Sequence, residues 1–136
     1  MTGSEGATER ANRSVPTGHD MAITAARAAA TKQATDIVVL DVHEVIVITD
    51  VFVICTASTQ RQVKSVIEAL EDALRDLGEK PVRREGEPEG GWWLLDYIDL
   101  VVHVFGEEER EYYDLERLWK DAPKVDWQEP EADPSE

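Results

Sequence analysis

Residues 59–77 place Val63, Val66, Ile67, Leu70, Leu74 and Leu77 at the three- and four-residue intervals of a single helical face. Thr59 followed by Gln62 forms a capping-box pattern at the start, and Gly78 then Pro81 supply the stop. A helix with one apolar face draws most of its stability from burying that face, so this pattern demands a partner layer. The segments just before it provide one. DIVVLDV (36–42) and VIVITDVFVICTA (45–57) are β-branched and apolar, broken at His43-Glu44 and again at Thr49-Asp50. They predict one strand, a short extension and a second strand, on which the helix packs.

The remaining segments extend this layout. Asp20 can cap a first helix, MAITAARAAATKQA, whose alanines favour helix but whose apolar face is thin. PVRRE (81–85) reads as a short edge strand, followed by the polar turn GEPEGG. Strands are expected over 92–96 and 99–105, joined tightly at Tyr97-Ile98. GEEEREYYDLERLWKDAP then gives one or two short helices ending by Pro123, with Leu115, Leu118 and Trp119 on one side as core. The order helix, strand, strand, helix, three strands, helix predicts an α/β (α+β) fold, a mixed β-sheet packed with helices. Residues 1–19 and 126–136 read as flexible tails around one domain spanning 20–125, with Trp127 the one tail residue suited to docking.

Charge narrows the function. The chain carries 29 acidic and 14 basic residues, for a formal charge of −15. Residues 1–19 balance, 20–105 sum to −7, and 106–136 hold 12 acids against 4 bases. Phosphate backbones repel such a surface, so no autonomous nucleic-acid binding is expected, whereas a basic protein partner suits it. The absence of an apolar run near 20 residues, of a signal-peptide core, and of any second cysteine beside Cys55 leads to expectations of no membrane span and a cytoplasmic location.

Chemistry leaves few marks. Asp36, Asp41, Asp50, Asp96 and Asp99 are scattered, without the Asp-x-Asp pair that a phosphoryl-transfer centre places after a Gly-Ser turn. They read as strand-end and turn residues. His103 lies mid-strand with no recognisable catalytic partner, so it reads as a hydrogen-bonded structural histidine or one on a binding face. His19 and His43 are not spaced as metal ligands with it, and Cys55 in VFVICTA reads as a small buried hydrophobe. No glycine-rich phosphate loop occurs. No catalytic, cofactor-binding or metal-ligating residues and no small-molecule substrate are expected.

The stretch WWLLDYIDLVVHVF (92–105) poses the functional question. Neighbouring strand residues point to opposite faces, so Trp92 and Trp93 cannot share one core. One ring packs beneath the helices; the other needs a second core layer, a symmetry mate or a partner. The thin first helix favours an interface, where an aromatic anchor is ringed by polar groups.

Several segments in order also carry a family resemblance over about 21–125: DIVVLDVHEVIVITDVFVICTAS, TQRQV opening a helix, WWLLDYIDLVVHVF, and EEEREYYDLERLW. Their combination resembles the ribosomal silencing factors, also called RsfS or Iojap-like proteins. The resemblance implies a nucleotidyltransferase-like outline without its catalytic carboxylates. It implies a non-enzymatic translation repressor that binds the basic ribosomal protein L-fourteen on the large subunit and blocks joining of the small subunit. A homodimer is a second association it implies. Carried onto this chain, it implies partner contacts at Trp92 as anchor and Asp96 as acceptor. Leu94 shares the face of Trp92; Tyr97 and Asp99 lie at the turn, and Glu108 and Tyr113 in the terminal helical motif. Ile98 and Ala57 stand where the family usually has glycine, which brings the turn at Ile98 into question. A large-subunit assembly factor and a nucleotidyltransferase-like enzyme remain the alternatives.

Overall fold

The computed structural model describes residues 15–87 and 90–128; most of the expected tails, and Pro88 and Glu89 in the polar turn, lie outside them. The elements are α1 (Gly18–Thr31), β1 (Thr35–Asp41), β2 (Val51–Thr56), α2 (Gln60–Asp76), β3 (Arg83–Glu85), β4 (Trp92–Asp96), β5 (Leu100–Phe105), α3 (Glu107–Tyr113) and α4 (Leu115–Leu118). The strands form one sheet in the order β1-β2-β5-β4-β3. Only the central β2–β5 pair is parallel. Its flanking pairs are antiparallel, so the sheet is mixed, as expected.

The two helices α1 and α2 close one face. Val66, Ile67, Leu70 and Leu74 of α2, and Met21, Ala22, Ala25, Ala26 and Ala29 of α1, bury against Val53, Cys55, Leu95, Val102 and Val104. The alanine face of α1 is thin, and that thinness lets the helix lie close. A Cβ on Gly18 would come within 2.8 Å of the Asp99 carbonyl oxygen, so glycine there lets the helix start press on the β4–β5 turn. The cap is Thr17 rather than Asp20: Thr17 Oγ1 accepts from Asp20 N, and the Asp20 carboxylate accepts from Thr17 N. The helix thus begins inside the expected tail, because the reciprocal capping box needs Asp20 three residues into it. Thr59 Oγ1 caps α2 as expected by accepting from Gln62 N. The Gln62 side chain turns instead to Ser58 N, and Gly78 ends the helix at φ 86°.

The opposite face holds a second core: Leu40, Val42, Phe52, Ile54, Phe105 and Ala122, with Trp92, Leu115 and Trp119 packed on it. Its cover comes from the C-terminal segment, not from α1. Asp41 N donates to the Pro123 carbonyl and Val125 N to that of Val39, so the chain end also lines the outer edge of β1. Trp127 docks: its Nε1 donates to the Ile37 carbonyl. Leu118, expected in this core, is 67% exposed, because α4 has only one turn and presents Leu115 and Trp119 inward. The opposite sheet edge, β3, is three residues of exposed Arg and Glu, a short charged edge that discourages further strand pairing.

The short extension expected over 45–48 is not a strand. β1 and β2 are antiparallel neighbours, so the chain must reverse between Asp41 and Val51. Residues 42–50 spend themselves on that reversal, with Val42 N bonded to the Asp50 carbonyl and Ile46 N to that of Val42.

A candidate docking surface on the second face

Strand alternation sends Trp92, Leu94 and Asp96 to the second face, and Trp93 and Leu95 to the helix side, where Leu95 is fully buried. Trp92 is half-buried there. Its ring lies 4.4 Å from that of Tyr113 and 5.1 Å from that of Phe105, centroid to centroid. Its Nε1 donates to His103 Nδ1 at 3.1 Å. That bond fixes the histidine tautomer, because an accepting Nδ1 leaves the ring proton on Nε2. His103 is 5% exposed and faces Phe52 edge-on, so burial lowers its pKa to about 4 and the ring is neutral at pH 7. It is the hydrogen-bonded structural histidine of the two readings, with a partner from its own motif.

The β4–β5 turn is tight and charged. Asp96 Oδ1 accepts from Ile98 N at 2.8 Å, and Asp96 Oδ2 accepts from Arg83 at 3.0 Å. Ile98 sits at φ 75°, the left-handed region that glycine adopts without cost. The turn expected of a glycine thus forms with isoleucine, held by the Asp96 bond, and presents the Ile98 side chain 57% exposed. Asp99 is exposed beside it, and its carbonyl accepts from Asp50 N and Val51 N, which ties the turn to the 42–50 loop. Tyr97 faces the other way, 4% exposed in the helix-side core, where burial raises the pKa of its hydroxyl.

The 42–50 loop was absent from the sequence-derived site. Ile46 packs inward on the second core and Thr49 is buried, while Val47 and Ile48 point out, 98% and 77% exposed. The loop base is latched by Asp41. Its carboxylate accepts from His43 Nδ1 at 2.6 Å and from His19 Nε2 at 2.9 Å, which binds the loop to α1. These hydrogen bonds hold the Asp41 carboxyl below its usual pKa, and Asp41 raises that of His43.

The expected contact residues therefore divide. Leu94 and Asp96 share a face with Trp92, and Asp99 lies at its lower end. Tyr113 covers Trp92 from the upper end, with Glu108 exposed on the same helix, α3. Trp93 closes a shallow groove on the helix side with Val63, Ile67 and Arg84. Cys55 is fully buried, as expected, with its thiol pushed up to about 12 by burial. Among the described residues, no group of three or more His, Cys, Asp or Glu side chains could hold a metal ion, and no helix is long and apolar enough to cross a membrane.

A family model described as "Ribosomal silencing factor during starvation" matches residues 15–136. The chain belongs to the ribosomal silencing factor family. The silencing factor RsfS of Bacillus subtilis is 40% identical over 102 residues, 75% of this chain and 86% of that protein. The RsfS protein of Halalkalibacterium halodurans is 39% identical over 95 residues, 70% and 81% of the two chains. A crystal structure from Chromobacterium violaceum superposes with a TM-score of 0.72 at 30% identity, covering 86% of this chain and 97% of that one. A mouse protein named "Mitochondrial assembly of ribosomal large subunit protein 1" is 31% identical over 91 residues, 65% of this chain and 40% of that protein. In this silencing-factor fold, Trp92, Leu94 and Asp96 lie together on one sheet face.

Proposed function

We propose that this silencing factor binds the large ribosomal subunit through ribosomal protein L-fourteen and prevents the small subunit from joining, in the cytoplasm and without catalysing a reaction. The observation that carries the reading is the second sheet face. Around Trp92 it is built as an aromatic layer, and it continues through Leu94, Asp96 and Val101 to the exposed turn at Asp99 with no covering element among the described residues. Leu94 and Val101 are half-buried on it. Its charge is acidic, from Glu108 and the α3 acids at one end to Asp99 at the other, within a chain of net −15. A basic protein complements this potential where ribosomal RNA does not. Once docked, the bulk and charge of the chain oppose the RNA surface of the incoming subunit. In this arrangement Trp92 is the platform, Leu94 and Asp99 contact the partner, and Asp96 holds the turn. Glu108 and Tyr113 form the upper rim, and Tyr97 supports from below.

Purified subunits mixed at magnesium concentrations that favour joining, with and without the protein, test the reading on sucrose gradients. Migration with large subunits and a smaller joined-ribosome peak is the expected result. Migration without loss of that peak favours a second reading, in which the chain acts in large-subunit assembly, as the name of the mouse relative says of that protein. Failure to migrate with large subunits removes both.

A further inference from the structure

We infer that the 42–50 loop and the Ile98 turn form one preorganised apolar tip, and that this tip is a principal anchor for the basic ribosomal protein. The inference rests on the proposed function and deepens it by assigning contacts outside the strand motif. Val47 and Ile48 expose 98% and 77% of their surface, and Ile98 exposes 57%. Single exposed aliphatics are ordinary, but with Val45 there are four on two adjoining turns at one end of the sheet, which marks an interaction surface.

The exposure is built rather than incidental. Ile46 and Thr49 are the loop's inward anchors, and the Asp41–His43 and Asp41–His19 hydrogen bonds fasten its base. Bonds from Asp50 N and Val51 N to the Asp99 carbonyl hold the loop against the hairpin turn. Ile98 keeps a left-handed backbone at φ 75°, a conformation strained for a β-branched residue. Strain of this kind is retained where the side chain it presents has a use.

Charge selects the occupant. Exposed Glu44 and Asp50 lie on the loop, and exposed Asp99 flanks Ile98; Glu44 pairs with His43, and Asp96 with Arg83. Apolar anchors inside an acidic rim fit a partner with an aliphatic patch ringed by lysine or arginine. A second copy of this chain would bring the same acidic rim and a net charge of −15 against it.

Pelleting titrations with purified large subunits test this, using the full chain, the double variant Val47→Ser with Ile48→Ser, the variant Ile98→Gly, and Leu118→Ser as an exposed apolar control on α4. We expect the double variant to bind at least tenfold more weakly and Ile98→Gly to bind more weakly too. Leu118→Ser should bind like the parent. Because Val47 and Ile48 are exposed, the double variant should unfold at the parent's denaturant midpoint; should it not, Ile98→Gly, which relieves strain, decides. Parent-like binding by the double variant, or by Ile98→Gly if that variant decides, overturns the inference and leaves the proposed function standing. A parent that self-associates through the tip, losing its dimer in the double variant, overturns it in favour of a second copy. A parent that does not bind large subunits at all overturns the proposed function, and the inference with it.

Discussion

The two faces of the sheet solve burial differently. On the helix side, α1 and α2 seal a continuous layer in which Val53, Cys55, Leu95, Val102 and Val104 are all fully buried. On the other side, the cover is assembled from pieces far along the chain, with Tyr113 over Trp92, Trp119 against Phe52, and Lys124 bridged to Leu40. Among the described residues, that patchwork protects the upper part of the face and stops short of the lower part. The first face is the more completely buried of the two; on the proposed function, the less covered part of the second is the partner's surface. Variants on the helix side should therefore change stability alone, whereas those on the second face should reach both stability and binding.

The largest expected effect is on the helix side. Leu70→Ala empties a fully buried site and should lower unfolding stability by about 3 kcal/mol in urea denaturation, with large-subunit affinity unchanged while the chain is folded. A loss of affinity at full folding would blur the comparison between faces.

A comparable effect should come from protonating the second face. His103 has a folded pKa of about 4 against 6.5 for an ordinary histidine, so between those values the unfolded chain binds a proton that the folded chain does not. Stability is then complete above about pH 6.5 and falls as pH drops towards 4, by on the order of 3 kcal/mol. The His43–Asp41 pair acts in the opposite sense for His43, whose raised pKa adds stability below its unfolded value and loses it as pH rises through the folded one. His103→Gln keeps an acceptor for the Trp92 N–H without titrating and should flatten the slope across pH 6.5 to 4. An unchanged slope would show that another group controls it.

Smaller effects should follow from Trp92→Phe. It removes the bond to His103 Nδ1 and should cost about 1–2 kcal/mol in denaturation, with a weakened affinity if Trp92 holds the platform. Smallest is Ile98→Gly, which relieves the left-handed backbone but loosens the unfolded chain, for a net gain of up to about 1 kcal/mol. A variant that folds better and binds less well would separate the two roles at a single residue.

How much of this is legible in the sequence follows the same division. The helix-side face is local and periodic: α2 declares itself by spacing from Val63 to Leu77, and alternation places Trp92 and Trp93 on opposite sides correctly. The second core is invisible to periodicity because its parts, Phe52, Trp92, Trp119 and Ala122, lie far apart in the chain and meet only through topology. The VIVI run has strand composition, yet the antiparallel β1–β2 pairing obliges it to turn, and no local pattern distinguishes a β-branched turn from a strand. The same rule that placed Leu94 beside Trp92 also puts Tyr97 opposite Asp96, inside the helix-side core. Ile98 in a glycine position was the one visible sign that the turn is strained.

The most direct test of the account is hydrogen exchange on the chain bound to large subunits, compared with the free chain. New protection confined to the 42–50 loop and residues 94–101, with α2 and the Trp93 groove unchanged, is the expected result. Protection over α2 and the groove, with the second face exchanging as in the free chain, would contradict it.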